Sequence, residues 1–327
     1  MARITNKLGR GVERVWRPVS ARYPRLTALR AKAARVVAAS SGAGGVDPGK
    51  MVWIFGTGRS GSTWLRSMMG EMSGHLVWEE PMVGRLFGEF YSRAQAENLR
   101  RADFIMGDPI RKGWIRSIRN FVLDGVQYAH PLARSGHYIV VKEPNGSIGA
   151  PLIMEALPES RMVLLVRDPR DVAASALDAT REGGWLHDWA DKGRWKRDKL
   201  ADRDPNALVR MRSNKYLSQV GAARRAYEAH GGPRALVRYE DLRSDTLGAM
   251  RRLYAALDID VDADELSRAV EKHAWENIPA EKKGEGKFFR KAAPGGWRED
   301  LTPRQVRIVE EITAPLLEEF YRSNGES

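Results

Sequence analysis

The feature that most constrains the fold is an apolar run that leads directly into a glycine-rich turn. Residues 51–55 read MVWIF and residues 56–65 read GTGRSGSTWL, and the apolar spacing predicts a helix over 62–72. A helix that begins at such a turn presents backbone N–H groups with no partner in the helix, and these groups bind anions. The glycines allow the main chain to approach an oxyanion closely; they are Gly56, Gly58 and Gly61. The sequence therefore predicts a phosphate-binding loop between a strand and a helix.

Further apolar runs alternate with helical patterns along the rest of the chain. Strands are predicted at 51–55, 138–142, 161–166 and 235–239. Helices are predicted at 62–72, 85–100, 147–157, 169–181, 206–230, 241–257, 263–274 and 303–322. This alternation is typical of an α/β fold with a central parallel β-sheet flanked by helices.

The chain divides into a basic arm and one large domain. It has 327 residues and 43% apolar content, which is enough for one large core. Residues 1–40 contain ten Lys or Arg and one acid, and a Gly- and Ser-rich linker follows. We therefore expect an N-terminal arm with its linker at 1–50 and a catalytic domain at 51–327. The arm is either a solvated segment or a basic amphipathic segment that contacts an anionic membrane.

The composition limits which ligands and which kinds of chemistry are expected of this chain. The formal net charge is +12, which favours anionic ligands. There is no cysteine, and the six histidines lack metal-ligand spacing, so we expect neither thiol chemistry nor a metal. No apolar run is long enough for a membrane span, and the N-terminus lacks a secretory signal. We expect a cytoplasmic enzyme, peripheral to the membrane if the arm binds it, with no nucleic-acid partner.

The glycine-rich turn differs from the nucleoside triphosphate loop in one position. That loop reads G-x-x-x-x-G-K-[ST], and its lysine reaches the β- and γ-phosphates. Gly56 and Gly61 have the right separation, but Ser62 stands in place of the lysine and Arg59 lies inside the loop. The difference argues against a P-loop kinase, which stays as an alternative, as does a non-catalytic nucleotide- or polyanion-binding protein.

The loop resembles the 5'-phosphosulfate loop of enzymes that use 3'-phosphoadenosine-5'-phosphosulfate (PAPS), the PAPS-dependent sulfotransferases. The resemblance implies a P-loop-like sulfotransferase fold with PAPS as co-substrate and adenosine 3',5'-bisphosphate (PAP) as product. It also implies that Arg59 contacts the transferring sulfuryl group and the 5'-phosphate. The remaining loop positions would bind phosphate or, for the tryptophan, stack on adenine; they are Ser60, Gly61, Ser62, Thr63 and Trp64.

A second nucleotide-binding segment follows the strand at 161–166. Arg167 stands at the strand's end, Asp168 and Pro169 form a good helix start, and Ser175 lies eight residues past Arg167. Ligands bind at the carboxyl ends of strands in open α/β sheets. The segment resembles the family's 3'-phosphate motif, which implies that Arg167 and Ser175 bind the 3'-phosphate.

Two later segments also resemble the family. The strand-end sequence VRYEDL would place Tyr239 at the adenine end, and Trp275 matches an adenine-facing aromatic or a packing residue equally well. The segment KFFRKAAPGGWRED resembles the loop that closes on the 3'-phosphate. The implied ligands there are Arg290, Lys291 and Gly295. The family's first glycine is replaced by Ala292, which puts the backbone shape of this loop in question.

Carboxylates near the loop predict the general base of the transfer reaction. Glu80 lies twenty-one residues after Arg59, as the base does in tyrosylprotein sulfotransferases, which this region resembles. Lys142, at the end of a buried strand, matches the lysine that contacts the leaving oxygen in the family. Pro144 replaces the histidine of cytosolic members, which favours a carboxylate base, and Glu143 and Glu79 compete with Glu80 for that role. Because alternate side chains of an extended chain point to opposite faces, we expect only one of Glu79 and Glu80 to face the pocket.

The acceptor side is expected within residues 181–204. This segment is rich in charge and holds Trp185, Trp189 and Trp195, on which sugars or aromatic acceptors stack. Aromatic packing under a loop explains the same residues equally well. We expect a hydroxyl-bearing acceptor, of the carbohydrate or glycolipid class.

Overall fold

The structure is a computed structural model that describes residues 46–131, 133, 136–186 and 204–321. The basic part of the predicted arm therefore lies outside the described residues, and so do Trp189 and Trp195. The division into an arm at 1–50 and a catalytic domain at 51–327 stays a prediction.

A five-stranded sheet forms the centre of the fold. Its strands are β1 (Met51–Phe55), β2 (His75–Glu79), β3 (Tyr138–Lys142), β4 (Arg161–Val166) and β5 (Arg234–Arg238). Their order is β2-β3-β1-β4-β5, and all neighbouring pairs are parallel. This confirms the predicted parallel sheet, with four of its strands within one residue of the predicted bounds. The sequence did not predict β2, an edge strand whose residues are only partly buried.

Helices cover both faces of the sheet. The α-helices of the described residues are α1 (Ser62–Met69), α2 (Val83–Ser92), α3 (Ala96–Leu99), α4 (Arg111–Ala129), α5 (Ala150–Ala156), α6 (Pro169–Thr180), α7 (Pro205–Ala229), α8 (Tyr239–Ser244), α9 (Thr246–Ala256), α10 (Ala263–Lys272), α11 (Trp297–Asp300) and α12 (Pro303–Tyr321). Short 3₁₀ helices lie at Pro48–Lys50, Asp108–Ile110, Pro144–Gly149, Trp275–Asn277 and Ala280–Lys282. Two predicted helices are each divided in two, at 93–95 and at Asp245, and α4 was not predicted at all.

Alternate residues of the central strands fill two separate cores. In β1, Met51, Trp53 and Phe55 pack in the core beneath α4, α5 and α7. Val52 and Ile54 pack on the other face with α1, α9 and α10. All five residues of β1 are fully buried, as expected for a parallel strand with helices on both sides.

The strand order brings the polar segments to one edge of the sheet. From the central β1 the chain first builds β2 and β3 on one side and then β4 and β5 on the other. Because all strands are parallel, their carboxyl ends share that edge, and a crevice forms where the chain changes sides. The glycine-rich turn lies at the middle of this edge.

None of the helices within the described ranges is long and apolar enough to cross a bilayer.

Candidate functional site

The glycine-rich turn, residues 56–61, adopts backbone shapes that require glycine at both ends. Gly56 has a φ of 155°, and a Cβ there would lie 2.3 Å from the carbonyl oxygen of Leu165. Gly61 has a φ of 92° and is the N-cap of α1. A Cβ on Gly61 would meet the ring of Tyr239 at 2.6 Å. The turn therefore points the first amides of α1 outward with no side chain in front of them, which is the geometry for binding an oxyanion.

Buried side chains fix the turn from behind. The amide of Gly56 donates to Ser147 Oγ at 2.8 Å, and Thr57 Oγ1 donates to Gln219 Oε1 at 3.0 Å. The side chain of Ser60 is fully buried, and its Oγ has no hydrogen-bond partner among the described residues. Ser60 does not line the cleft, unlike the other predicted loop ligands.

Three guanidinium groups and one hydroxyl form a compact cluster beside the turn. Arg59 Nε donates to Ser175 Oγ at 3.0 Å, and Arg167 Nη1 donates to the carbonyl of Arg59 at 3.0 Å. Arg290 has a side chain that is 10% exposed and pairs with Asp178 and Asp300. Burial, together with the charges of Arg167 and Arg290, lowers the pKa of Arg59 to about 10, against the opposing charge of Asp178. The cluster has excess positive charge in a poorly solvated place, so it favours an anionic ligand.

Arg59 lies nearer to the second segment than the sequence predicts. We expected it at the sulfuryl group, with Ser175 and Arg167 at the 3'-phosphate. In the structure its guanidinium bonds Ser175, donates to the carbonyl of Phe288 at 3.0 Å and stacks on Trp185. Because Arg59 has a φ of 74°, the side chain leaves the turn in an unusual direction.

Aromatic side chains line the other end of the cleft. Tyr239 begins α8 directly after β5 and meets Trp64 edge to face, with ring centroids 6.2 Å apart. Trp64 Nε1 donates to the carbonyl of His273 at 2.8 Å, which fixes its ring. The guanidinium of Arg167 lies 4.2 Å from the centroid of Tyr239. Trp275 also lines the cleft, so these rings offer a place for a planar base.

The segment at 290–297 is anchored to α6 by a residue that the sequence analysis missed. Asp171 is 3% exposed and accepts from the amide of Gly295 at 2.7 Å and from that of Trp297 at 3.0 Å. Lys291 pairs with Glu299 at 2.9 Å, and it lines the cleft whereas Gly295 does not. In the sequence, the second Asp of RDPRD could have indicated this anchor, because a buried acid in the first turn of a helix needs a partner.

Ala292 has a backbone conformation that glycine adopts more readily than alanine. Its φ is 50°, in the left-handed region that glycine adopts freely and other residues adopt at a cost. Its carbonyl accepts from Arg243 Nε at 3.1 Å, which helps to hold this conformation. The replacement therefore leaves the turn in place.

Glu79, Glu80 and Lys142 meet where β2 and β3 end side by side. Glu79 is the register partner of Lys142, whose Nζ lies 2.6 Å from Glu79 Oε1 and 2.7 Å from Glu80 Oε1. The two carboxylates do not point opposite ways, although only Glu80 lines the cleft, as expected. Glu80 has a φ of 42°, so the chain turns at the strand's end and both reach the same ammonium group. Only Glu80 and Lys142 line the cleft, since Glu79 also pairs with Arg66 at 2.7 Å.

Glu143, the competing base, is enclosed beneath α2. Its side chain is fully buried, and its Oε2 accepts from the amide of Met82 at 3.0 Å. Burial raises its pKa to about 7, against the backbone N–H groups of Met82 and Gly84 that favour the carboxylate. It does not line the cleft.

One continuous cleft joins these groups. The space within it and at its open mouth amounts to about 1150 Å³. Of the predicted residues it is lined by Arg59, Gly61, Ser62, Thr63, Trp64, Glu80, Lys142, Arg167, Ser175, Tyr239, Trp275, Arg290 and Lys291, together with Trp185. No group of metal-ligating side chains occurs in the part of the chain that the structure describes. The cleft thus has a phosphate loop in the middle, a cationic cluster and aromatic rings at one end, and a carboxylate with a lysine at the other.

Comparison with known proteins agrees with this site. The sequence model of the sulfotransferase family matches residues 52–263, which is more than half of the chain. The chain therefore belongs to the sulfotransferase family, and the resemblance inferred from the sequence is confirmed. No curated protein matches it in sequence.

Two solved structures show the same fold. Mouse sulfotransferase SULT7A1, complexed with PAP, is 14% identical, with a TM-score of 0.52 over 84% of this chain and 86% of that one. Sulfotransferase STF9 from Mycobacterium avium is 15% identical, with a TM-score of 0.52 over 83% of this chain and 77% of that one. At this identity the likeness shows the fold, a central parallel sheet with flanking helices.

Proposed function

We propose that this sulfotransferase moves the sulfuryl group of PAPS to a hydroxyl of its acceptor. The observation that carries the proposal is the cluster of Arg59, Arg167, Arg290 and Ser175 beside the phosphate loop. A loop alone suits any nucleotide, but a second anion site on the same cleft suits one that is phosphorylated at both ends of its ribose. The mouse relative complexed with PAP supports the same ligand.

The placement of the side chains supports a division of roles along the cleft. The outward amides of α1, with Ser62 and Thr63, would bind the 5'-phosphosulfate, and the cationic cluster with Lys291 would bind the 3'-phosphate. Trp64 and Tyr239 would hold the adenine. The end of the cleft that bears Glu80 and Lys142 is then left for the acceptor.

Glu80 and Lys142 are proposed as the reacting pair. Glu80 would take the proton of the acceptor hydroxyl, whose oxygen forms the new bond to sulfur as the bond to the 5'-phosphate oxygen breaks. Lys142 would donate to that departing oxygen, where negative charge builds. Glu80 is favoured over Glu143, which is enclosed, and over Glu79, which is held by Arg66 as well as by Lys142.

The acceptor is proposed to be a carbohydrate or glycolipid alcohol. Its support is the charged, Trp-rich segment at 181–204, of which Trp185 lines the cleft and lies against Arg59 and Phe288. A cytoplasmic location, and membrane contact through the arm, remain predictions from the sequence.

Calorimetric titration of the purified chain with PAP and with ATP and Mg²⁺ tests the proposal. Each charge-assisted contact to the 3'-phosphate contributes roughly 1.5–3 kcal/mol, so PAP should bind at least tenfold more tightly than ATP. Arg167→Met should weaken PAP binding by about ten- to a hundredfold and leave the weaker ATP binding little changed. As a control, Arg225→Met removes a charge from the exposed part of α7 and should alter neither titration.

Equal affinity for the two nucleotides would refute the assignment. Tighter binding of ATP with Mg²⁺ would favour the kinase alternative instead.

A further inference from the structure

The peptide bond between Arg167 and Asp168 is held from both sides. Its carbonyl, on Arg167, accepts from the hydroxyl of Tyr216 at 2.8 Å. Its N–H, on Asp168, donates to Glu240 Oε1 at 3.0 Å. Tyr216 belongs to α7 and Glu240 to α8. Two helices distant in sequence thus fix a single peptide unit at the point where β4 leads into α6.

The side chain that leaves this peptide unit has bonding capacity left for a ligand. Arg167 Nη1 donates to the carbonyl of Arg59, and its guanidinium lies 4.2 Å from the ring centroid of Tyr239. The Nε of Arg167 is buried and has no hydrogen-bond partner among the described residues. A buried N–H group is costly unless an acceptor reaches it, so this atom favours an anionic ligand beside Arg167.

The carboxylate of Glu240 is itself held by α12. Its Oε2 accepts from the hydroxyl of Tyr321 at 3.1 Å. Tyr321 is the last residue of α12, and its ring centroid lies 4.8 Å from the guanidinium of Arg238. Arg238 ends β5 directly before α8, so Tyr321 contacts both the strand end and the carboxylate that follows it.

Glu240 does not belong to the surface of the cleft. Neither Glu240 nor Tyr216 nor Tyr321 lines it, whereas Arg167 and Tyr239 do. Tyr216 is buried and Glu240 is half-buried. The hydrogen bonds therefore connect Glu240 to the cleft through the backbone from which the side chain of Arg167 leaves.

The charge of Glu240 does not explain its place beside a cationic site. Burial raises the pKa of Glu240, and the amide of Asp168 and the charge of Arg167 oppose that rise. By its charge alone, Glu240 would weaken the binding of a phosphate at Arg167. Its hydrogen bond to the amide of Asp168 has the opposite effect, because it fixes the backbone that carries Arg167.

We propose that Glu240 is a positioning residue for the 3'-phosphate, because its hydrogen bond to the amide of Asp168 directs the guanidinium of Arg167 toward that phosphate. This deepens the proposed function and rests on it. Selectivity for a nucleotide with a 3'-phosphate would then depend on Tyr321 as well, since Tyr321 holds the carboxylate of Glu240.

Titration with PAP and with adenosine 5'-monophosphate (AMP) tests this role, because the two nucleotides differ only in the 3'-phosphate. Glu240→Ala removes the hydrogen bond and should weaken PAP binding about tenfold while AMP binding stays unchanged. A general loss of structure would weaken both nucleotides alike. An effect of charge alone would strengthen PAP binding, because an acid is removed from the neighbourhood of a phosphate.

Two single variants serve as controls. Glu240→Gln keeps an oxygen that can accept from the amide of Asp168, so it should bind PAP at least as tightly as the wild type does. Asp241→Ala removes the next acid in the same turn of α8, which is exposed, and should alter neither titration.

A double variant shows whether Glu240 acts through Arg167. If it does, Glu240→Ala should cause no further loss of PAP affinity in a protein that already carries Arg167→Met. Losses that add in the double variant would mean that the two residues act independently.

The outcomes separate this inference from the proposed function. If the wild type prefers PAP to AMP, the positioning role is refuted by an unchanged preference in Glu240→Ala, by additive losses, or by an equal loss in Glu240→Gln, and the proposed function stands. If the wild type binds PAP no more tightly than AMP, both fall. Should Glu240→Ala fail to fold, Tyr321→Phe removes only the hydroxyl that holds Glu240. It should lower the preference for PAP roughly threefold, and an unchanged preference would refute the role.

Discussion

The nucleotide side and the acceptor side of the cleft are assembled from different kinds of sequence. On the nucleotide side the functional groups lie within four residues of the ends of strands β1, β4 and β5, as Arg59, Arg167 and Tyr239 do. On the acceptor side Glu80 follows a strand, but Asn145, which donates to Glu80, comes from a 3₁₀ helix. Lys215, which donates to Asn145, comes from the interior of α7. Local sequence thus determines the first side, whereas packing of distant elements determines the second.

The largest expected effect concerns Glu80, the proposed base on the acceptor side. Glu80→Gln removes the proton acceptor and should lower the transfer rate by about 10²- to 10⁴-fold, the usual contribution of a general base. Because Glu80 does not belong to the nucleotide side, the Kd for PAP should stay within about twofold. Radiosulfate transfer from labelled PAPS to an extract that contains the acceptor, with PAP calorimetry beside it, measures both.

Glu79→Gln is the matched control, since it alters the other carboxylate on Lys142. We expect a smaller loss of rate than for Glu80→Gln. Equal losses in the two variants would mean that the pair acts only by holding Lys142, and would leave the acceptor side without an identified base.

A smaller effect should distinguish Glu143, which is buried beneath the acceptor side, from Glu80, which lines the cleft. The pKa of Glu143 is raised to about 7, above its ordinary value of 4.5. Folding therefore favours the protonated acid, and the free energy of unfolding should fall by about 3 kcal/mol as the pH rises from 4.5 to 7, with no further change from this group above pH 7. Denaturant unfolding across this range, compared with Glu143→Gln, isolates the contribution.

Glu143→Gln should remove that part of the pH dependence, and the exposed Glu97→Gln should retain it. Parallel stability profiles for the wild type and Glu143→Gln would contradict the burial argument. Glu143 would then become a candidate base again, because its carboxyl group would ionise readily.

The smallest effect tests whether the nucleotide side depends on one long-range anchor. Asp171→Asn places an amide donor against the N–H groups of Gly295 and Trp297, so the segment at 290–297 should be held less firmly. We expect PAP to bind about tenfold more weakly, in line with the net value of hydrogen bonds to a charged group.

Asp124→Asn, on the exposed face of α4, provides the control for loss of one acid. Unchanged PAP affinity in Asp171→Asn would show that the segment closes on the nucleotide without this anchor.

Most of the sheet and the nucleotide side could be predicted from the sequence. The continuous apolar runs of β1, β3 and β4 are typical of strands buried on both faces, and the glycine turn and Asp168 with Pro169 mark where helices start. Edge strand β2 was not predicted because its residues are only half-buried and give no clear hydrophobic pattern. Helix α4 carried a readable signal, since Trp114, Ile118, Val122 and Val126 recur every four residues and are all buried.

The rest of the site depends on contacts that no local pattern encodes. The carboxylates of Glu79 and Glu80 both reach Lys142 because the backbone turns at Glu80, and no glycine in the sequence there predicts such a turn. Asn145 and Lys215 are seventy residues apart, and only the packing of α7 against the 3₁₀ helix at Pro144–Gly149 makes them neighbours. Long-range hydrogen bonds of this kind require the fold before they can be inferred.

The order of the strands also sets the distances between the groups that lie at their carboxyl ends. Neighbouring strands are about 4.8 Å apart, so the four gaps from β2 to β5 amount to roughly 19 Å across the top of the sheet. Tyr239 stands over one margin, the phosphate loop over the middle and Glu80 over the opposite margin. The distances between these groups, measured at right angles to the strands, are therefore set by the spacing of the backbone strands and not by flexible side chains.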